Sequence, residues 1–167
     1  MKPYDSTADT EAHIAQVAEN MRLLAHMLVL RAESHDSSKL ADPEKAVFDE
    51  VTPKLRGLTY GSAEYKASLA EMGEALRHHY AHNRHHPEHF ADGMKGMTFV
   101  DLIEMFCDWC AATQRHEDGN IGKSIDTNMK RFGFGEVLAS IMVGTAQAFR
   151  MGAKHHDAYR PTTKETQ

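Results

Sequence analysis

From residue 14 to residue 28 the apolar side chains Ile14, Val17, Met21, Leu24 and Leu28 recur three and four positions apart, and no glycine or proline interrupts the chain before Ser34. That spacing lines them up on one side of an α-helix. It predicts a single long helix from about residue 10 to about residue 35, with this stripe buried. Residues 1–8 make a loose start, Asp9 or Thr10 supplies the cap, and the cluster Asp36-Ser37-Ser38 ends the helix.

The same period governs the rest of the chain. Asp42-Pro43-Glu44 reads as a helix start, with proline at the first helical position, and a short helix follows to about Val51, before Pro53. Residues 54–61 form a loop in which Leu58-Thr59-Tyr60-Gly61 is partly extended. Ser62 caps a helix that carries Tyr65, Leu69, Met72 and Leu76 inward, and 91–97 form a second loop. Thr98, with Asp101 three positions on, has a capping-box pattern and opens a helix bearing Leu102, Met105, Phe106 and Trp109. Glu104, Asp108 and Arg115 lie on another stripe of that helix, which Gly119-Asn120 breaks. A short helix at Ser124–Phe132 and a final one at Glu136–Met151 complete the set, with Val137, Leu138, Ile141, Met142 and Phe149 as its core side. No segment reads as a strand. The expectation is one all-α domain over 1–167, a bundle of five to seven helices with its core in about 9–151 and a polar tail at 152–167. His155 and His156 then sit on the surface.

At 167 residues the chain is long enough to bury a core. Its formal charge of −5 argues against a general nucleic-acid binder. No apolar run approaches the ~20 residues of a membrane span, and the first residues lack a signal-peptide pattern, so a cytoplasmic protein is expected. Cys107 and Cys110 have redox-pair spacing, but no βαβ pattern surrounds them. They read as small residues of an apolar helix.

Six of the twelve histidines fall in one stretch, at His78, His79, His82, His85, His86 and His89. Imidazole is the commonest metal ligand, and carboxylate its usual companion. His79, Asn83 and His86 share a stripe if the helix reaches that far. Pro87 ends or bends the helix and sets His86 at the mouth of a turn, where a ligand can be aimed. Two more elements complete the candidate metal set. His35-Asp36 joins an imidazole and a carboxylate at a helix end, and Asp108 is a carboxylate among Phe106, Cys107 and Trp109. An acid so placed is paired, metal-bound or turned to solvent.

These residues carry a resemblance. His35-Asp36 followed by Lys39, the block His79, His85 and His86, and the later Asp108 resemble the HD-domain metal-dependent phosphohydrolase superfamily. HIAQVAENM, beginning at His13, resembles the helix of its first histidine. More closely, HDSSK, LTYGSAEY, HHYAHNRHHPEHF and DLIEMFCDW resemble a family of uncharacterised proteins common in bacteriophage genomes, over about residues 13–145. The superfamily resemblance implies a helical fold, one to three divalent metals and hydrolysis of a nucleotide or similar phosphate ester. It implies that His35 and Asp36 are metal ligands, that Asp108 is the late aspartate, and that His79 and His86 serve a second metal. Asp36 then bridges the two or holds the attacking water. His13 and His35 are 22 positions apart, roughly 33 Å along a straight helix. Either that helix breaks near Ala25-His26, or His13 is not a ligand.

Phosphoryl transfer needs flanking cations. Lys39, Arg84 and Arg115 are candidates, with Lys123, Asn128 and Arg131 to meet a phosphate or base. Glu88 or Glu104 can act as a base or accept a ligand's second N–H. The expected cofactor is a divalent metal (Mn, Co, Fe, Zn or Mg), and the expected substrate a small phosphate compound such as a deoxynucleotide. Two rivals keep the metal: iron-based oxygen chemistry, and a non-catalytic metal- or nucleotide-binding interaction module. The face at 137–149 could support a homodimer.

Overall fold

The computed structural model describes residues 3–58, 62–115 and 119–158, without the side chains of Arg56, Lys66 and 150–158. Among them the expected all-α class holds. The helices are α1 Thr7–Ser34, α2 Lys45–Arg56, α3 Ala63–Glu71, α4 Gly73–His82, α5 Phe99–Thr113, α6 Ile121–Phe132 and α7 Glu136–Ala158, with 3-10 turns at Ser37–Leu40, Pro87–His89 and Gly93–Gly96. No described helix is long and apolar enough to cross a membrane. The chain forms two compact units, Met1–Glu104 and Met105–Gln167.

In the first unit α1 is the long helix expected, unbroken past Ala25 and His26, but it starts at Thr7, so Asp9 and Thr10 lie inside it and the N-cap is Ser6, without a side-chain cap bond. Its apolar stripe is a correction. No α1 residue is buried, and Ile14 and Met21 are 61% and 66% exposed. Spacing fixes which side chains share a face but not whether another element covers that face. What fastens α1 is polar: in its last turn the Arg31 guanidinium pairs with Asp101 at 2.9 Å and with Glu104 at 2.6 Å.

α2 runs on past the expected stop at Val51 and includes Pro53. A proline within a helix removes one N–H and strains one turn, and here the helix continues regardless to Arg56. The single helix expected after Ser62 is two. Ser62 does cap α3, its Oγ accepting from the Tyr65 N–H at 3.1 Å. The chain then turns at Met72 and restarts at Gly73, where φ is +44°, a value glycine takes without steric cost. Val51, Met72, Ala75 and Val100 form the small apolar core of this unit. The expected box at Thr98 is present. The Thr98 N–H donates to Asp101 Oδ2 at 2.8 Å, and the Asp101 N–H donates to Thr98 Oγ1 at 3.3 Å.

In the second unit α6 packs on α7, with Ile125, Ala139, Met142 and Ala146 buried. The Trp109 ring lies near-parallel to those of Phe132 and Phe134, with centroids 6.3 and 6.2 Å away. Gly133 ends α6 in the left-handed region, its N–H donating to the Met129 carbonyl at 2.9 Å. α7 is rotated from the expected reading. Ala139, Met142 and Ala146 make its buried line, whereas Val137, Ile141 and Phe149 are 77%, 60% and 49% exposed. Of the expected core side Met142 is buried, but large side chains drew the rest of the reading away from Ala139 and Ala146. Cys107 is exposed and Cys110 half-buried, and neither is in a disulfide. The expectations for 59–61 and for the His155 and His156 side chains fall outside the described residues.

Candidate metal centre

The first candidate ligand comes from a change of backbone handedness. α1 stops at Ser34, and Asp36 takes φ +56° and ψ +12° before the 3-10 turn begins. Aspartate tolerates this left-handed conformation better than most residues. One turn on, Lys39 Nζ donates to Asp36 Oδ2 at 2.5 Å. The other oxygen, Oδ1, is buried and has no hydrogen-bond partner.

Three imidazoles converge on that oxygen. His79 projects from α4 and is 1% exposed. α4 stops at His82, and Asn83 is extended at φ −119° and ψ 104°. His85 and His86 therefore leave the helix and reach the site from the segment that follows; the helix stops before Pro87, which instead opens the 3-10 turn with His86 as its N-cap. The Nε2 atoms of His79 and His86 are 2.8 Å apart. Asp36 Oδ1 lies 3.3 Å from His79 Nε2 and 3.5 Å from His85 Nε2. Ligand atoms held about 2.0–2.1 Å from one cation are about 3–3.4 Å from their neighbours. All four donors lie within 4.8 Å of one another.

Behind the rings stand two glutamates. Glu44 is fully buried. It accepts from His78 Nδ1 at 2.7 Å, His79 Nδ1 at 2.9 Å and the Ser38 hydroxyl at 3.0 Å. Glu104 accepts from His35 Nδ1 at 2.9 Å and from Arg31 Nε at 2.7 Å. His85 Nδ1 approaches Glu104 Oε1 at 3.1 Å but off the N–H axis, so no aligned hydrogen bond forms. A carboxylate on Nδ1 fixes the tautomer whose Nε2 lone pair points forward, the usual arrangement behind ligating histidines.

The electrostatics agree. Burial lowers the His79 pKa, assisted by Lys39 and opposed by Asp36 and Glu44, which favours the neutral ring a cation needs. Burial pushes Glu44 upward, but the hydrogen bonds from His78, Ser38 and His79 outweigh it and hold the acid ionised. Glu104 is likewise raised by burial and brought well below the ordinary glutamate range by His35, His85 and Arg31. The donor set fits a divalent cation. Buried polar atoms are otherwise almost always satisfied, yet Asp36 Oδ1 and His85 Nε2, aimed at the same point, are not.

Of the residues expected from sequence, Asp36, His79 and His86 come together, with Lys39 on Asp36. His35 sits beside them, bound to Glu104 and 3.6 Å from Asp36 Oδ2 through Nε2. Glu104 takes the accepting role foreseen for it, and Glu88 is exposed. Arg84 forks onto Asp101 through Nε and Nη2, both at 3.0 Å. His13 is exposed on the uninterrupted α1. Asp108, Arg115, Lys123, Asn128 and Arg131 belong to the second unit. There Asp108 is half-buried on α5, Arg115 and Lys123 are exposed, Asn128 is 1% exposed, and the Arg131 guanidinium lies 4.7 Å from the Phe132 ring centroid.

Sequence reasoning missed Glu44, which it took for helix-start chemistry, and gave His85 no ligand role of its own. A signal for Glu44 existed in kind, since histidine ligands need carboxylate partners, but nothing local paired it with residues 34 and 35 positions away. Its role is testable. Glu44→Gln keeps the shape and removes the charge, and it should weaken divalent-metal affinity by about 10–100-fold, read by competition with a chromogenic chelator.

A family model described as "Family of unknown function (DUF5662)" matches residues 2–155. No curated protein and no solved structure matches the chain.

Proposed function

The chain belongs to that family of unknown function, and we propose that it is a metal-dependent phosphohydrolase acting on a small phosphate ester, with Asp36, His79, His85 and His86 holding one divalent cation. The observation that carries the reading is the convergence of buried Asp36 Oδ1 and His85 Nε2, both without hydrogen-bond partners, on the Nε2 atoms of His79 and His86. Two or three imidazoles with one carboxylate suit Zn, Fe, Mn or Co better than Mg, which prefers an all-oxygen shell. When bound, such a cation lowers the pKa of a coordinated water and offsets charge on a phosphoryl group.

The chain's own residues supply the rest. Lys39 holds Asp36 Oδ2, so the carboxylate offers one oxygen to the site. Glu44 keeps the His79 ring oriented, and Glu104 places a negative charge 3.1 Å behind His85 Nδ1. His35 Nε2 lies 3.6 Å from Asp36 Oδ2, and the bridging role that the HD-domain resemblance gives Asp36 would require Lys39 to release that oxygen. The nucleotide preference rests on that resemblance alone.

The test starts from metal content measured on protein purified without nickel resin, then screens phosphate release from nucleotides and simple monoesters with Mn, Co, Fe or Zn. Release that disappears on chelation and in Asp36→Ala supports the reading. A stoichiometric metal with no turnover of any ester, in a shell closed by four protein ligands, would move the protein to the structural-metal class. Iron with oxygen uptake would move it to oxygen chemistry.

A further inference from the structure

A cavity lies in the first unit, about 420 Å³ in volume and lined by Arg31, Ser37, Ser38, His82, Asn83 and Arg84 among others. None of Asp36, His79, His85 and His86 lines it. Its size falls within the ~300–1,000 Å³ range of small-molecule sites. It meets the metal centre from behind. Asn83 Nδ2 donates to Ser38 Oγ at 2.8 Å, Ser38 Oγ donates to Glu44 Oε2 at 3.0 Å, and Glu44 accepts from the rear nitrogen of His79.

The lining is rich in donors. Arg31 spends Nε and Nη2 on Glu104 and Asp101, and Arg84 spends Nε and Nη2 on Asp101. Among the described residues, neither Nη1 has a hydrogen bond, nor does the Ser37 hydroxyl. A guanidinium presents five N–H groups, so each arginine keeps two on Nη1. Asp101 itself is fully buried and is absent from the lining. The carboxylates that orient the two arginines therefore sit behind them, and the exposed edge is donor chemistry. Planar guanidinium edges with hydroxyls are the usual means of holding tetrahedral oxyanions.

We propose that this cavity binds the phosphate group of a small anionic metabolite independently of the metal. The ligand is a phosphate dianion, free or as a monoester, held by Nη1 of Arg31 and Arg84 and by the Ser37 hydroxyl. The site goes beyond the hydrolase reading, because it needs no cation and would exist in a protein with no catalytic activity.

Calorimetric titration of EDTA-treated full-length protein with inorganic phosphate, ribose 5-phosphate and ribose tests this. Saturable binding of either phosphate compound, with none for ribose, is the expected result, and the tighter of the two names the source. Ser37→Asp places a carboxylate at the mouth, where the first turn of a 3-10 helix accepts it. It should weaken phosphate binding by about 10-fold or more through like-charge repulsion. Arg84→Gln should do the same, with Ser37→Asp remaining informative if Arg84→Gln fails to fold. No saturable heat at about 10 mM ligand overturns the proposal, as does binding seen only after metal is restored, or affinity unchanged in Ser37→Asp. Metal content, measured separately, reports on the hydrolase reading whichever way this titration falls.

Discussion

His85→Leu should abolish metal-dependent stabilisation while leaving the metal-free protein as stable as before, or more so. In the parent, a cation at ~100 times its dissociation constant adds about 2.7 kcal/mol. In a chain of this size that is a rise of about 5–10 °C in melting temperature. His85 is 1% exposed, and neither ring nitrogen has an aligned hydrogen bond. Each buried polar atom left so costs about 1–3 kcal/mol, a cost leucine of similar bulk does not carry. Glu104 retains His35 and Arg31 in the variant. Scanning calorimetry with EDTA and with Mn or Zn reads both arms. A metal-free variant that melts well below the parent would mean that the imidazole is packing, and the centre would lose its strongest support.

Asp101→Ala should be the most destabilising single change in the first unit, by about 4 kcal/mol. Removing one partner of a buried ion pair costs about 3–5 kcal/mol, and losing a helix cap adds about 1 kcal/mol. Asp101 is fully buried. It receives the Arg31 and Arg84 guanidiniums and both Thr98 donors. Burial raises its pKa, but these contacts outweigh that and bring it from 3.8 to about 2. A depressed acid adds stability above its unfolded pKa, and that stability is lost as pH falls through the folded value. The contribution, about 2 kcal/mol by the linkage relation, is therefore present above about pH 4 and gone below about pH 2. Urea unfolding at pH 7, 4 and 2 reads both effects. Asp101→Ala should flatten the acid limb as well as lower the midpoint.

Much of this architecture was legible in local sequence. Ser62 and the Thr98–Asp101 pair act as the caps their types suggested. The histidine block supplied three side chains that could hold a metal, and His86 stands at the start of the Pro87 turn. What local pattern could not supply was partnership at long range. Asp101 read as a cap, which it is. Its burial against Arg31, 70 positions back, has no periodic signature. His85 was only one histidine of the block, and because α4 ends at His82, helical periodicity could not place it. Gly73 stood in plain view as a possible break and was passed over, because the apolar spacing on either side of it is in register. On α1 the spacing was real and the burial was not, since burial depends on what lies opposite.

The left-handed turn at Asp36 has one more consequence, for how this protein can vary. No other described residue except glycine has a positive φ. A β-branched or bulky substitute there would distort the hinge before it altered any chemistry. Drift at that codon is confined to the few residue types at ease with such a bend, chiefly asparagine and glycine. Neither carries a negative charge, so descendants that lose the acid can keep the shape of the loop, and shape alone will not reveal which of them retain the candidate ligand set.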